Sequence, residues 1–485
     1  MTLTDLPEAR ASEAPDELCI TDDSGTYTNS AFARRVRQAA AALAASGIRR
    51  GDVVAVKLPN RIELIIAVFA AWRLGAVVTP INPALGEAET TFQITDSGAA
   101  IVIMDPDAEP DAHWATQVVP VGSLAGEREP AVVPVSPEDI ALLIYTSGTT
   151  GSPKGVMLTH ANLDAMTSSF IEWFALGPHD HSLLVLPLFH ANGIVLGTLS
   201  PLRAGGRVTI VGRFSRDRFF SDVEKHRPTF FSAVPAIYAM LSALPDEVQP
   251  DTSSLRFAVC GAAPMPADLI RRCEERFGFT IVEGYGLSET TTASTINPLD
   301  GVRKPGFVGL PLPGQRVQIV GLDGRPVRAG ERGEVVIAGP VVMAGYLNRP
   351  DATAEAIVDG WLHTGDIGRF DDDGYLQIVD RVKDMIIRGG ENVYPKEIEN
   401  AIYLNEDVLE TAVVGRHDDV MGEVPVAYVT LRAPGAVTPD QLMDLCATHL
   451  AGFKRPVAVH VVEEIPKNAV GKIDKRRLRT LADST

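Results

Sequence analysis

Apolar and alanine positions recur at helical spacing from Ser30 to Ala45, and "DVVAVKL" (Asp52–Leu58) follows as a compact apolar run of strand length. A second helix is predicted over Arg61–Leu74 and a second strand over "AVVTPI". The alternation continues through strands "AAIVIM" and "SLLVLPL", a helix after Asn192, strand "RVTIV", a helix from Arg216, strands "TFFSAV" and "LRFAVCG", and a helix over Ala267–Phe277. Alternating elements of this kind predict an α/β fold built on a mainly parallel sheet. The most apolar run, Leu64–Trp72, is nine residues long and flanked by Glu63 and Arg73. A bilayer span needs about 20 apolar residues, so this run is expected to be a buried helix.

From Gly306 to Leu376 short apolar runs separated by Gly and Pro predict a β-rich subdomain. "FDDDGYLQIVD" within it invites a calcium-loop reading, but Arg369 stands where the first ligand should be and Asp380 replaces the closing Glu. It is read as a hairpin turn. After Arg381 the character changes: a helix from about Pro395 to Leu404, strands "LETAVVG" and "PVAYVTL", and a helix opening at "PDQLMDL". These make a small α+β domain of about 100 residues, an ordinary independent size. The boundary is expected at Asp380–Lys383, giving a domain of residues 1–380, a hinge at 381–383 and a domain of residues 384–485.

At 485 residues the chain is too long for one ordinary core. Forty-four basic against 62 acidic residues give a net charge of −18, which argues against a nucleic-acid partner, although a local pocket on such a protein can still be positive. The four cysteines (Cys19, Cys260, Cys273, Cys446) have no paired spacing, as expected of a reducing compartment and no zinc site. The acidic N-terminus lacks an apolar signal core, so a cytoplasmic protein is expected.

Five segments carry candidate chemistry. "YTSGTTGSPKGVMLTH" (Tyr145–His160) offers the hydroxyls of Thr146, Ser147, Thr149 and Thr150, backbone N–H groups freed by Gly148 and Gly151, and Lys154. It is not the ordinary P-loop, in which Lys is followed by Ser or Thr. Backbone nests of this kind hold anionic oxygens. A Gly/Ser/Thr surface turn is the plainer reading. "EGYGLSETT" (Glu283–Thr291) sets Tyr285 between Gly284 and Gly286, where a purine could stack at close approach. Ser288 could then bond a phosphate and Glu289 could hold Mg2+. The alternative is a strand end with a core Tyr. "GWLHTGDIG" places Asp366 in a Gly-flanked turn, suited to accepting from two ribose hydroxyls or serving only the turn. "IVDRVKDMIIRGGENVYPKEIE" supplies Arg381 and the Gly389–Gly390 pair, and "IPKNAVGKIDKRRLR" supplies Lys472, or else is a solvated basic tail.

Jointly and in this order, the segments resemble those of the adenylate-forming superfamily, which includes acyl-CoA synthetases, luciferases and peptide-synthetase adenylation domains. The resemblance runs from about Tyr27 to Leu478. It implies a large N-terminal domain of two αβ layers plus a β-barrel, and a small mobile α+β C-terminal domain. It also implies roles: Thr146–Lys154 on the ATP β- and γ-phosphates, Tyr285 beside adenine, Ser288 on phosphate and Glu289 on Mg2+. Asp366 and Arg381 would hold the ribose, and Lys472 the carboxylate and α-phosphate. Lys383 falls at the family's hinge, Gly389 and Gly390 suit the face that admits the CoA arm, and His190 in "PLFHANG" matches an aromatic placed between acyl and CoA channels. Without that match, a lone His in an apolar stretch reads as core.

By position, the acyl pocket should draw on Phe189, His190, Asn192, Gly193, Phe231, Ser232, Gly261, Ala262, Gly284, Gly286, Leu287 and Val308, a set without a cation. "PLFHANG" is similar to dicarboxylate-specific relatives that carry an Arg before the Tyr motif, but Gly284 stands there in this chain. An unpaired second carboxylate would be costly to bury, so a fatty or aryl monocarboxylic acid is expected. The expected reaction is ATP-dependent adenylation followed by transfer to CoA. Two alternatives stay open: adenylation with another acceptor (a carrier-protein thiol, an amine) or of an anion such as nitrite, and an inactive scaffold of the same fold.

Overall fold

The computed structural model describes residues 2–106, 114, 116–127, 131–146, 153–321, 323–467 and 473–483. By packing it divides into two compact units. The first comprises residues 1–318, 336–363 and 374–376; the second comprises 319–335, 364–373 and 377–485. The boundary expected at 380 therefore falls inside the second unit, which takes in β segments on both sides of it.

The first unit is organised by two sheets. One has nine strands in the order Leu310–Pro311, Thr295–Ile296, Thr280–Tyr285, Phe257–Cys260, Phe230–Ala233, His181–Leu184, Arg207–Ile210, Leu18–Asp22 and Gly25–Thr28. The run from Thr280–Tyr285 to Leu18–Asp22 is parallel throughout. The other sheet has seven strands, in the order Gly345–Tyr346, Lys154–Thr159, Ile140–Thr146, Val77–Pro80, Val53–Lys57, Ala99–Met104 and Gln117–Pro120. Antiparallel strands thus close both edges of the first sheet and one edge of the second, whose other edge strand, Gln117–Pro120, is parallel.

The helices obey the apolar spacing. Asn29–Ala45 buries Phe32, Val36, Ala39, Ala40 and Leu43 on one face, and its first turn is capped by Thr28, whose side chain accepts from the Ala31 N–H at 3.3 Å. Ile62–Arg73 is apolar nearly all round and buried from Leu64 to Trp72, the signature of a central core helix. Trp72 is fully buried and its indole N–H donates to Ala141 O at 2.9 Å, fixing the helix to the seven-stranded sheet. No helix among the described residues is long and apolar enough to cross a membrane. Ala267–Phe277 spans the expected residues and stops at Gly278, whose φ of +75° suits the glycine C-cap.

One expectation is corrected. The strands between 306 and 376 are not a single subdomain: Leu310–Pro311 joins the nine-stranded sheet and Gly345–Tyr346 the seven-stranded one, while the others form a five-stranded sheet. The Asp-rich piece is a turn between Trp361–Phe370 and Leu376–Arg381, as expected of a hairpin.

The second unit contains a five-stranded sheet in which Glu391–Val393, Ile386–Arg388, Gly422–Leu431 and Val408–Asp418 follow in order, with Ala458–Val461 parallel to Gly422–Leu431. Helices Pro395–Ile402 and Pro439–His449 pack on it around Ile398, Ile402, Val413, Ala427, Val429 and Leu442.

At Gly309 the chain has φ +88° and passes so close to Ile296 and Asn297 that a Cβ would lie 1.9 Å from the Ile296 carbonyl carbon. Gly309→Ala combines left-handed strain with backbone overlap and should cost about 2–5 kcal/mol. A lowered thermal midpoint is the expected result; an unchanged one would contradict this geometry.

Candidate active site

The hydroxyl-rich segment is the connection of a β-hairpin: Thr146 and Lys154 face each other as the last paired residues of strands Ile140–Thr146 and Lys154–Thr159. Ser147, Gly148, Thr149, Thr150 and Gly151 lie outside the described residues. The base of the hairpin is tied down beside them. Tyr145 Oη donates to Asp96 Oδ2 at 2.9 Å, and Arg349 binds Asp96 Oδ1 at 3.0 Å. Gly155 leaves room for the Tyr145 ring, which a Cβ would approach to 3.2 Å.

Tyr285 ends the strand Thr280–Tyr285 and is half-buried, with its carbonyl accepting from the Ser294 N–H at 2.7 Å. The glycines around it are also required by the fold itself. A Cβ on Gly284 would stand 2.8 Å from Ile296 Cγ1, and one on Gly286 would stand 2.4 Å from Ala293 Cα. The protein's own neighbouring chain already demands glycine at both. Beyond them, Ser288–Thr290 forms a 3₁₀ turn, and Thr291 takes φ +62° while fully buried, donating from Oγ1 to Val341 O at 2.6 Å. A buried β-branched residue in that region is strained, and such strain clusters at functional turns.

The strained turn presents Glu289. Its Oε1 accepts from Tyr346 Oη at 2.8 Å, and its backbone carbonyl accepts from the Met343 N–H at 2.9 Å. Lys154 Nζ lies 4.7 Å from the centroid of the same Tyr346 ring. Burial, then the charge of Glu289, raises the Tyr346 pKa, so the phenol stays a donor. Tyr346 was not singled out in the sequence. Only its position in "GYLNRP", remote from every glycine-rich segment, was visible there. No group of three or more metal-ligating side chains exists among the described residues. One half-buried carboxylate fits Mg2+ that arrives already bound to triphosphate, since that ion takes one or two carboxylates and keeps phosphate oxygens and waters.

The loop Gly261–Met265 leaves the strand Phe257–Cys260 through Ala262 at φ +68°, another non-glycine outlier. Met265 N–H donates to Glu283 Oε1 at 3.0 Å, while Glu283 Oε2 is buried with no hydrogen-bond partner among the described residues. Burial pushes this carboxyl up to about 7, the Met265 bond only partly opposing it.

Of the expected acyl-pocket residues, Phe189 is half-buried and His190 exposed, their rings 4.6 Å apart. They precede a helical stretch from Ala191 to Arg203 whose middle, Val195–Leu199, is π-helical, an irregularity common beside functional sites. Gly193 is required by the chain itself, since a Cβ would lie 2.5 Å from Pro187 O. Asn192 Oδ1 and Ser232 Oγ are buried without partners among the described residues. Leu287 and Val308 are half-buried. Phe231 is corrected: it is fully buried, its ring 5.0 Å from Phe219 and 5.4 Å from Phe279, and it belongs to the core.

In the second unit, Asp366 lies within the strand Trp361–Phe370 rather than in a turn. It is 3 % exposed and pairs with Arg381 Nε at 3.0 Å. Gly389 and Gly390, at φ +60° and +85°, make the two-residue turn between strands Ile386–Arg388 and Glu391–Val393, which needs positive φ at both places. Lys383 is exposed in the 3₁₀ turn Val382–Asp384, and its carbonyl accepts from Arg479 at 2.9 Å. Lys472 lies outside the described residues. The basic segment beyond it is not a solvated tail. The helix Lys475–Asp483 carries Lys475 onto Glu399 at 3.1 Å, where Lys396 also binds at 3.3 Å. Burial works against the Lys475 charge, but Glu399, then Asp380 and Asp384, outweigh it and raise its pKa.

Comparison with known proteins identifies the family. Residues 7–347 match the model of the AMP-binding enzymes, and 397–472 that of the AMP-binding enzyme C-terminal domain. A feruloyl-CoA synthase of Amycolatopsis sp. is 40% identical over 479 residues, covering 98% of this chain and 97% of its own. A long-chain-fatty-acid–CoA ligase of Mycobacterium tuberculosis is 37% identical over 463 residues, covering 91% of this chain and 90% of its own. The structure of o-succinylbenzoate CoA synthetase from Bacillus subtilis with ATP and magnesium superimposes with a TM-score of 0.90 at 32% identity, covering 98% of this chain and 99% of that one. The chain belongs to the AMP-binding, adenylate-forming enzymes. Within them it falls in the acyl-CoA synthetase branch, the acid–thiol ligases that consume ATP and CoA.

Glu283 gives a pH test. Its folded pKa of about 7 stands above the ordinary 4.5, so the folded state binds more protons between those values and stability falls as pH rises through the window. Glu283→Gln keeps an acceptor for Met265 and removes the titration. It should gain on the parent from pH 5 to pH 8, by roughly 3 kcal/mol at the upper end. Parallel pH profiles of the two thermal midpoints would refute the shift.

Proposed function

We propose that this acyl-CoA ligase adenylates an aryl or fatty monocarboxylic acid with ATP, releasing pyrophosphate, and passes the acyl group to the thiol of CoA, releasing AMP. The observation that carries the adenylation reading is the placement of Glu289 and Lys154 on one tyrosine, at the foot of a hydroxyl-rich hairpin. The first step forces a carboxylate onto a polyphosphate. Two unit charges 4 Å apart repel by about 4 kcal/mol at an effective dielectric of 20, and ATP carries several. In our reading Glu289 receives Mg2+·ATP, where the ion supplies charge neutralisation at the phosphates. Thr146, Lys154 and the loop between them hold the β- and γ-phosphates, Ser288 a phosphate oxygen, and Tyr285 the purine. Asp366 and Arg381, already paired, take the ribose hydroxyls. Lys472 would serve the carboxylate and α-phosphate. The acid is already a nucleophile, and a thiol near pKa 8.5 is partly ionised at neutral pH, so neither half-reaction requires a dedicated base.

The acid is read from two features. A cation at position 284 would have to displace Ile296, so no positive group meets a second carboxylate there. The unpartnered Asn192 Oδ1 and Ser232 Oγ suit a polar ring substituent better than a bare alkyl chain, and the feruloyl-CoA synthase relative supports the aryl choice. Acid-dependent pyrophosphate release, with and without CoA over a panel of hydroxycinnamic, fatty and short dicarboxylic acids, tests this. Hydroxycinnamic acids should give the highest kcat/KM. A lead for short dicarboxylates would overturn the pocket reading, and release without acyl-CoA would assign another acceptor.

The two half-reactions should separate by mutation. Lys472→Ala should lower acyl-AMP formation by about 10²–10³, the cost of losing one aimed group at a crowded transition state. Given preformed acyl-AMP and CoA, the same protein should make acyl-CoA at near the parent rate. Lys383→Pro, which restricts the proposed hinge, should show the reverse. Equal losses in both half-reactions would remove the alternating-domain account.

A further inference from the structure

Tyr346 belongs to none of the glycine-rich motifs, yet it touches residues of two of them. Its hydroxyl donates to Glu289 Oε1 at 2.8 Å, and its ring lies under Lys154 Nζ at 4.7 Å. Its own position is fixed from three sides. It pairs with Val156 in an antiparallel ladder, two residues beyond Lys154. Its N–H donates to Thr353 Oγ1 at 2.9 Å, and Thr353 Oγ1 donates in turn to Arg349 O at 2.9 Å. Gly345, at φ +143°, lets this corner close, since a Cβ there would stand 2.7 Å from Thr353 Cγ2.

We propose that Tyr346 is a positioning residue that sets the carboxylate of Glu289 and the ammonium of Lys154 in one register for metal–nucleotide. The proposal rests on the roles given to Glu289 and Lys154 above. The physical need is plain. A glutamate at the tip of a short turn has several rotamers, and its charge also attracts the nearby lysine. The tyrosine hydroxyl occupies one carboxylate oxygen and leaves the other free for the ion. The ring face meanwhile offers the lysine a site of its own, so the two charges need not neutralise each other before nucleotide arrives. The ring is tied to the strand that carries Lys154, so the spacing is set by that pairing.

Two substitutions separate the two contacts. Tyr346→Phe removes the hydroxyl and keeps the ring; Tyr346→Leu removes both. Binding is measured by calorimetry with a non-hydrolysable ATP analogue, with Mn2+ and with chelator, and Mn2+ occupancy is followed by its paramagnetic resonance. Tyr346→Phe should weaken metal-dependent binding about tenfold, the loss of a hydrogen bond to a charged group, and leave metal-free binding near the parent value. Tyr346→Leu should add a further loss of about threefold or more in the metal-free arm, where the cation–π contact acts. Equal losses with and without metal in Tyr346→Phe would overturn the carboxylate half, and identical behaviour of the two variants would overturn the lysine half. Glu289→Gln is measured beside them. If it keeps parent Mn2+ binding, the metal role of Glu289 fails; if it loses that binding while Tyr346→Phe does not, the Tyr346 proposal fails alone. Thermal midpoints identify any loss of fold in Tyr346→Leu, and the near-isosteric Tyr346→Phe decides the matter in that case.

Discussion

Backbone crowding at the end of the strand Thr280–Tyr285 is the constraint on which the placement of Tyr285 and Glu289 depends. Gly284, Gly286 and Gly309 all sit where a Cβ would collide with residues 292–297, so three chain segments touch with nothing between them. Close-packed interiors transmit such fixation over several residues. That contact holds Tyr285 at a strand end and forces the chain directly into the Ser288–Thr290 turn, with the strain taken up at Thr291. Glu283, two residues before Tyr285, reaches across to the backbone of Met265 and so gives the loop after the neighbouring strand the same anchor. The residues proposed for phosphate and metal are then carried on a scaffold that cannot slide.

The second unit solves its own positioning problem with charge instead of backbone contact. Glu399 is almost fully buried and takes Lys475 and Lys396 on its two oxygens, while also accepting from the Val413 N–H. Asp380 accepts from the Lys396 and Arg381 N–H groups, and Arg479 binds both Asp384 and the Lys383 carbonyl. Buried ion networks contribute little net stability, but removing one member strands another charge, so their geometry is held firmly. Here that geometry links the turn after Arg381 to the helix that begins three residues after Lys472.

Much of this was legible from residue order. The Ala267–Phe277 helix, the buried Leu64–Trp72 segment and the parallel strands follow from periodicity and length alone, because burial dictates all three. The site motifs were legible because glycine, hydroxyl and charge recur at fixed offsets. Three things were not. The strands of 306–376 divide among three sheets because their partners lie far away in sequence, as Gly345–Tyr346 against Val156–Met157 shows. Phe231 lies in the core because alternate residues of a strand face opposite sides of the sheet. Lys475 was hidden in a charge run, since nothing local to "KIDKRRLR" announces that its partner is Glu399, 76 residues earlier.

The glycines teach a related point about inference. Positions 284, 286, 389 and 390 look like clearance for ligands, and each has a sufficient cause inside the protein: backbone contact for the first pair, hairpin turn geometry for the second. Clearance for a ligand is then a consequence of how the chain packs on itself. The polar groups are the opposite case. Nothing in the packing of the described residues accounts for a buried Ser232 hydroxyl or Asn192 carbonyl without partners, since an unmade hydrogen bond in an interior costs about 1–3 kcal/mol. Groups held at that cost are better guides to the proposed acyl pocket than glycines whose folding role is complete.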